Sequence, residues 1–145
     1  MIERKSAIRY GWLRAMYIWT VLGAGGFGLA VLLVPEAVQA AMGYPAQDPM
    51  FFGVVACVYV AFGLLSVLGY FSPLKYAPVL LLQLGYKSLW FLAVLLPAAV
   101  AGSVPTYGWG LAAIFATYVI GDLIALPFPT LLERERPGAA PAAAA

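Results

Sequence analysis

Four stretches of this chain are each about 20 residues of nearly unbroken apolar side chains, the length an α-helix needs to cross the hydrocarbon of a bilayer. They cover residues 12–34, 50–70, 76–99 and 107–126. Prolines punctuate them: Pro35, Pro73 and Pro127 follow the first, second and fourth runs. With 64% hydrophobic and only 10% charged residues, against roughly 45–50% and 25% in an ordinary soluble domain, the chain has no material for a polar surface. The fold class is therefore all-α, a polytopic membrane protein built as a four-transmembrane-helix bundle. One membrane domain fills residues 1–132, and residues 133–145 form a tail, charged and then Ala/Pro-rich, whose low complexity reads as disorder.

The distribution of basic residues sets the orientation. Arg4, Lys5 and Arg9 precede the first run, Lys75 lies between the second and third, and Arg134 and Arg136 follow the fourth. The connections after the first and third runs carry no Lys or Arg. Cytoplasmic loops collect Lys and Arg, so four spans with both termini cytoplasmic satisfy every position, as expected of a protein of the bacterial inner membrane. Arg14 lies in the first turn of span one, where a long side chain reaches back to the headgroups. A cleaved signal peptide is the competing reading of the N-terminus, but the apolar run exceeds the roughly 7–15 residues of a signal core. After span one, residues 36–42 read as a short interfacial turn within a proline-rich loop.

Several chemistries are excluded. The chain has no histidine and one cysteine, Cys57, which removes the usual ligands of haem and zinc and any internal disulfide. Neither haem nor a metal is expected. The basic residues flank spans and form no separate face, so no nucleic-acid partner is expected. Among cofactors, quinone remains open. The partners expected are the bilayer itself and either further copies of the chain or a larger membrane complex.

Residues 80–97, LLLQLGYKSLWFLAVLLP, place Lys87 in the middle of span three. A lysine at the centre of a span costs about 2.5–3.5 kcal/mol on insertion scales, so a partner is expected. Asp122, in span four, is the one acid deep inside another apolar run. Counted from the turn between spans three and four, the two Cα levels differ by about 7–8 Å at the α-helical rise. Side chains lean toward the N-terminus of their own helix, which brings the two groups toward each other. Arg14 is the rival partner for Asp122, and the sequence leaves the choice open. Around the pair, Gln83 shares a face with Lys87, Trp90 follows one turn on, Tyr86 adjoins it, Tyr118 shares a face with Asp122, and Tyr59 lies mid-way along span two. These five are candidate ligand-lining residues. No residue pattern for a catalytic site is present.

Helices in lipid approach through small residues four apart. Gly53, Cys57 and Ala61 form such a row in span two, and Ala113, Thr117, Gly121 and Ala125 in span four. Span one carries Ala24/Gly28 and Gly26/Ala30 within GAGGFG. These are the expected helix-packing faces.

The order Lys87, then LAVLLP at residues 92–97, a short turn, and an aromatic and small-residue helix reaching Asp122 resembles the DoxX-like group of small four-helix membrane proteins over residues 85–125. The resemblance implies a compact bundle with cytoplasmic termini, Lys87 and Asp122 as its polar positions, and, for some members, service as membrane subunits of quinone-coupled oxidation. Two functional classes follow. The first is an accessory or scaffold subunit that packs through its small-residue faces in a larger energy-transducing complex. The second is a quinone- or lipid-binding partner of an oxidoreductase, or a small proton-coupled carrier.

Overall fold

A computed structural model describes residues 8–133. The basic residues Arg4, Lys5, Arg134 and Arg136 and the Ala/Pro tail lie outside them. The described residues are all-helical, with four helices long and apolar enough to span a membrane: α1 Tyr10–Leu33, α3 Pro49–Phe71, α4 Ala77–Val100 and α5 Thr106–Ala125. Two short helices complete the set, α2 Pro35–Met42 between the first two spans and α6 Phe128–Leu131 after the last. The spans begin and end within two residues of the apolar runs. The expected interfacial turn at 36–42 is α2.

Local chemistry explains these boundaries. Pro35 and Pro49 stand at helix starts, where their missing N–H groups cost nothing. Asp48 caps α3, its Oδ1 accepting from the amides of Met50 and Phe51 at 3.0 Å each. Gly43 ends α2 in the left-handed conformation at φ 68°.

The four spans run alternately up and down, so the start of α1, the α3–α4 link with Lys75 and the end of α5 share one end, called basal here. The links 34–48 and 101–105 form the distal end. Most large apolar side chains of the spans point outward: Leu22, Leu33, Phe51, Leu64, Leu82, Leu92 and Ile120 are all more than half exposed. In water such a surface would drive aggregation, and in lipid it is the solvent-facing side.

Helices α1 and α3 pack by backbone contact. A Cβ on Gly25 would meet Gly63 Cα at 3.0 Å, and a Cβ on Gly28 would meet Ala56 O at 2.6 Å. GAGGFG is thus the close-approach segment of α1, and a π-helical turn at Val21–Gly25 sits inside it. The partner row on α3 is Ala56, Gly63, Ser66 and Gly69, all buried. Of the row read from the sequence, Gly53 is half-buried and Cys57 and Ala61 face outward. On α5, Gly121 and Ala125 are buried, whereas Ala113 and Thr117 are exposed. The reason is helical pitch. Each step of four residues advances the face by about 40°, so a row that starts on one side of a helix ends on another. On α1, Ala24 and Gly28 are buried, Ala30 is half-buried and Gly26 is exposed.

The solid core lies at the basal end. Leu13, Tyr17, Ala77, Leu80, Leu84, Ala125 and Leu126 form one cluster there. Tyr17, fully buried, donates its hydroxyl to Pro73 O at 2.7 Å and so ties α1 to the α3–α4 link. Distally the packing opens. Beyond Trp90, through a second π-helical turn at Phe91–Leu95, α4 buries no residue.

Candidate functional site

Five polar side chains are buried among the described residues: Thr20, Ser66, Gln83, Lys87 and Asp122. Three of them, Thr20, Gln83 and Asp122, meet on the facing sides of α1, α4 and α5, with Lys87 one turn distal of Gln83 on α4. Thr20 Oγ1 lies 2.8 Å from Met16 O and 3.2 Å from Gln83 Nε2. A hydroxyl has one proton, and the shorter contact takes it, so Thr20 accepts from the Gln83 amide. The second Gln83 N–H points to Asp122 Oδ2 at 3.2 Å. Asp122 is fully buried, and its Oδ1 has no hydrogen-bond partner.

Lys87 is 1% exposed and does not meet the carboxylate. Its Nζ donates to Tyr86 Oη at 2.6 Å and lies 4.1 Å from the ring centre of Tyr118 and 5.1 Å from that of Phe115. Phe115 and Tyr118 stand two turns and one turn distal of Asp122 on α5. The lysine stem therefore runs to a level above the acid, while Gln83, one turn basal of Lys87, fills the place beside it. The physical reason is compensation without a counter-ion. A cation on a desolvated ring face gains up to about 2 kcal/mol, and a hydrogen bond from a charged donor about 1.5–3 kcal/mol. Two rings and a hydroxyl thus match the insertion cost of a mid-span lysine. Arg14, the rival partner for Asp122, is exposed and places its guanidinium 5.7 Å from the ring centre of Tyr70.

Above the lysine is a cavity of 290 Å³. Lys87 is its only charged lining residue, and the walls are apolar or aromatic, including Trp19, Phe27, Tyr59, Leu111, Phe115 and Tyr118. Tyr118 donates to Trp19 O at 3.1 Å, and Trp19 Nε1 donates to Thr117 Oγ1 at 3.1 Å, so these walls are braced. Gly23 makes room for the Tyr118 hydroxyl, which a Cβ there would strike. At the distal rim Tyr44 packs edge-on against Tyr107 at 5.0 Å, and burial pushes its phenol above the ordinary tyrosine pKa. Toward the basal end the cavity meets the Thr20–Gln83–Asp122 layer and then the solid core.

A second hollow of 510 Å³ lies between α3 and α4, lined by Val54, Val58, Phe62, Leu82, Tyr86 and Trp90 among others. Phe62 and Tyr86 meet across it with ring centres 5.6 Å apart, and Trp90 leans on Phe115 at 5.1 Å. Tyr86 thus stands between rings of α3 and α5, whereas Trp90 leans on α5.

Of the residues the sequence singled out, Lys87, Tyr59 and Tyr118 reach the first cavity, and Tyr59, Tyr86 and Trp90 the second. Gln83 reaches neither and holds Asp122 instead. Phe115, Trp19 and Thr20 were not legible as site residues. Phenylalanine and tryptophan in an apolar run look the same whether they face lipid or line a cavity, and Thr20 carries a signal only once Gln83 is opposite it. No family model, curated protein or solved structure matches this chain.

Proposed function

We propose that this chain is a multi-pass protein of a bacterial inner membrane, with cytoplasmic termini, that binds an apolar ligand whose compact head accepts hydrogen bonds. A quinone is the class that fits, and the chain serves as a non-catalytic membrane partner of an oxidoreductase. One observation carries this reading: the buried side chain of Lys87 is the one basic group lining an otherwise apolar, aromatic cavity. Such cavities bind by shape, and a few polar groups set orientation. A quinone carbonyl accepts from Lys87 Nζ while its ring stacks on Tyr118, Phe115 or Trp19. The DoxX-like resemblance over residues 85–125 points the same way. A carrier is disfavoured, because the leucine- and tyrosine-rich core closes the basal end.

The test is direct binding of a tail-less dimethoxy-methylbenzoquinone, read by quenching of tryptophan fluorescence in nanodiscs. Lys87→Met keeps the length of the side chain and removes its donor. Losing a charged hydrogen bond of about 1.5–3 kcal/mol lowers affinity at least tenfold while the bundle stays folded. Unchanged affinity in Lys87→Met overturns the reading.

The accessory-subunit reading has its own support. Cys57, Ala61, Ala113 and Thr117 present small side chains on the outer surface, where a neighbouring helix can seat.

A further inference from the structure

The cavity above Lys87 and the hollow between α3 and α4 share four lining residues, Val55, Tyr59, Leu111 and Phe115. These four residues form the partition between the two spaces, with Tyr59 and Phe115 the bulkiest side chains in it. The two spaces differ in size and setting. At 290 Å³ the inner chamber is at the lower limit of ligand pockets, which run from about 300 to 1,000 Å³. It accommodates a ring and its substituents but not a long chain as well. The outer hollow has 510 Å³, and its walls expose Val54, Val58 and Leu82 toward the lipid.

From this shared wall we infer that the ligand is a long-tailed amphiphile: its head sits on Lys87, and its alkyl or isoprenoid tail passes between Tyr59 and Phe115, which part as a portal, and lies in the groove between α3 and α4. The inference rests on the ligand-binding reading above and adds to it a tail subsite and a lateral route from the bilayer. The chemistry of the route is consistent along its length. Lys87 marks the inner end, the rings of Tyr59 and Phe115 line the portal, and valine and leucine line the outlet, so polarity falls from head to lipid. A tail that stays in apolar surroundings throughout gains little by moving from lipid into the groove. The groove therefore acts by admitting the chain, and filling it acts by exclusion.

Two quinones with the same head separate this inference from the reading beneath it. One is the tail-less dimethoxy-methylbenzoquinone and the other carries a decyl chain. Val58→Trp fills the groove from α3, and Leu82→Trp fills it from α4. Both positions are exposed to lipid, at 46% and 64%, so a tryptophan fits there without disturbing the core. Unfolding midpoints in detergent identify any variant that fails to fold, and the other then carries the test. The expected result is at least a tenfold loss of affinity for the decyl quinone, about 1.4 kcal/mol, with the tail-less quinone within twofold of wild type. A diazirine at the end of the decyl chain should label the α3 segment around Val54 and Val58 or the α4 segment around Leu82. If both tryptophan variants bind both quinones as wild type does, or weaken both equally, the tail subsite is wrong. Label found only on α1, α2 or α5 overturns it as well. In each of those cases a loss of tail-less binding in Lys87→Met still upholds the head site. If Lys87→Met binds the tail-less quinone normally, the underlying reading falls first.

Discussion

At the scale of single residues, the sequence and the structure agree on which groups are exceptional and differ on what they touch. Lys87 and Asp122 stand out because a charge inside an apolar run is costly, and that cost is visible in any linear reading. The partner is not, because it is chosen by a few ångströms of side-chain placement. Gln83, one turn from Lys87, reaches Asp122 first, and the ammonium finds Tyr86, Tyr118 and Phe115. A double-mutant cycle measures the outcome. Tyr118→Leu removes a ring 4.1 Å from Nζ, and Lys87→Met removes the charge. The cycle should give a coupling of about 1–2 kcal/mol in unfolding free energy, the range for a desolvated cation on an aromatic face. A coupling near zero would mean that the ring holds its place for packing alone. Tyr118→Phe retains the face and loses only the hydroxyl donated to Trp19 O, so its coupling to Lys87 should equal that of the parent tyrosine.

At the scale of elements, the helices themselves were legible and their inner faces only partly so. Span limits follow from prolines and apolar length, and the structure moves each by no more than two residues. Facing is harder to read, since small residues repeat along several sides of the same helix. On α3 both Gly53–Cys57–Ala61 and Ala56–Gly63 look like packing rows. Only the second lies against α1, where the Gly25 and Gly63 backbones touch. What decides between them is the glycine cluster of α1, which needs an equally slim surface opposite. Gly63→Leu forces these backbones apart, and overpacking of this kind costs about 1–3 kcal/mol. Ala61→Leu, on the outward face of the same helix, should leave the unfolding midpoint of the isolated bundle within error. Equal losses for the two would show that the assignment of faces is wrong. Ala61→Leu also tests the docking reading, because a partner seated on that row would be shed, and the native complex would run at lower mass.

For the whole molecule, the main feature is asymmetry along the membrane normal. The basal half is filled by Leu13, Tyr17, Leu80 and Ala125, and the distal half is hollow down to Lys87. Charge follows the same division: Arg9, Arg14 and Lys75 lie at the basal end, and the distal links carry Glu36 and Asp48 without any Lys or Arg. If the positive-inside rule governs this chain, the solid half faces the cytoplasm and the cavity belongs to the outer half of the bilayer. For the proposed ligand, that geometry would give access from the outer leaflet and no way through to the cytoplasm, as the binding-partner proposal requires and a carrier does not. Orientation can be read with single cysteines placed in a Cys57→Ser background. Ser103→Cys, in the distal link between α4 and α5, should react with a membrane-impermeant maleimide in intact spheroplasts. Ser72→Cys, at the basal end of α3, should react only after permeabilisation. The reverse pattern would turn the molecule over, put the hollow half and its groove in the cytoplasmic leaflet, and require any redox partner to meet the ligand from that side.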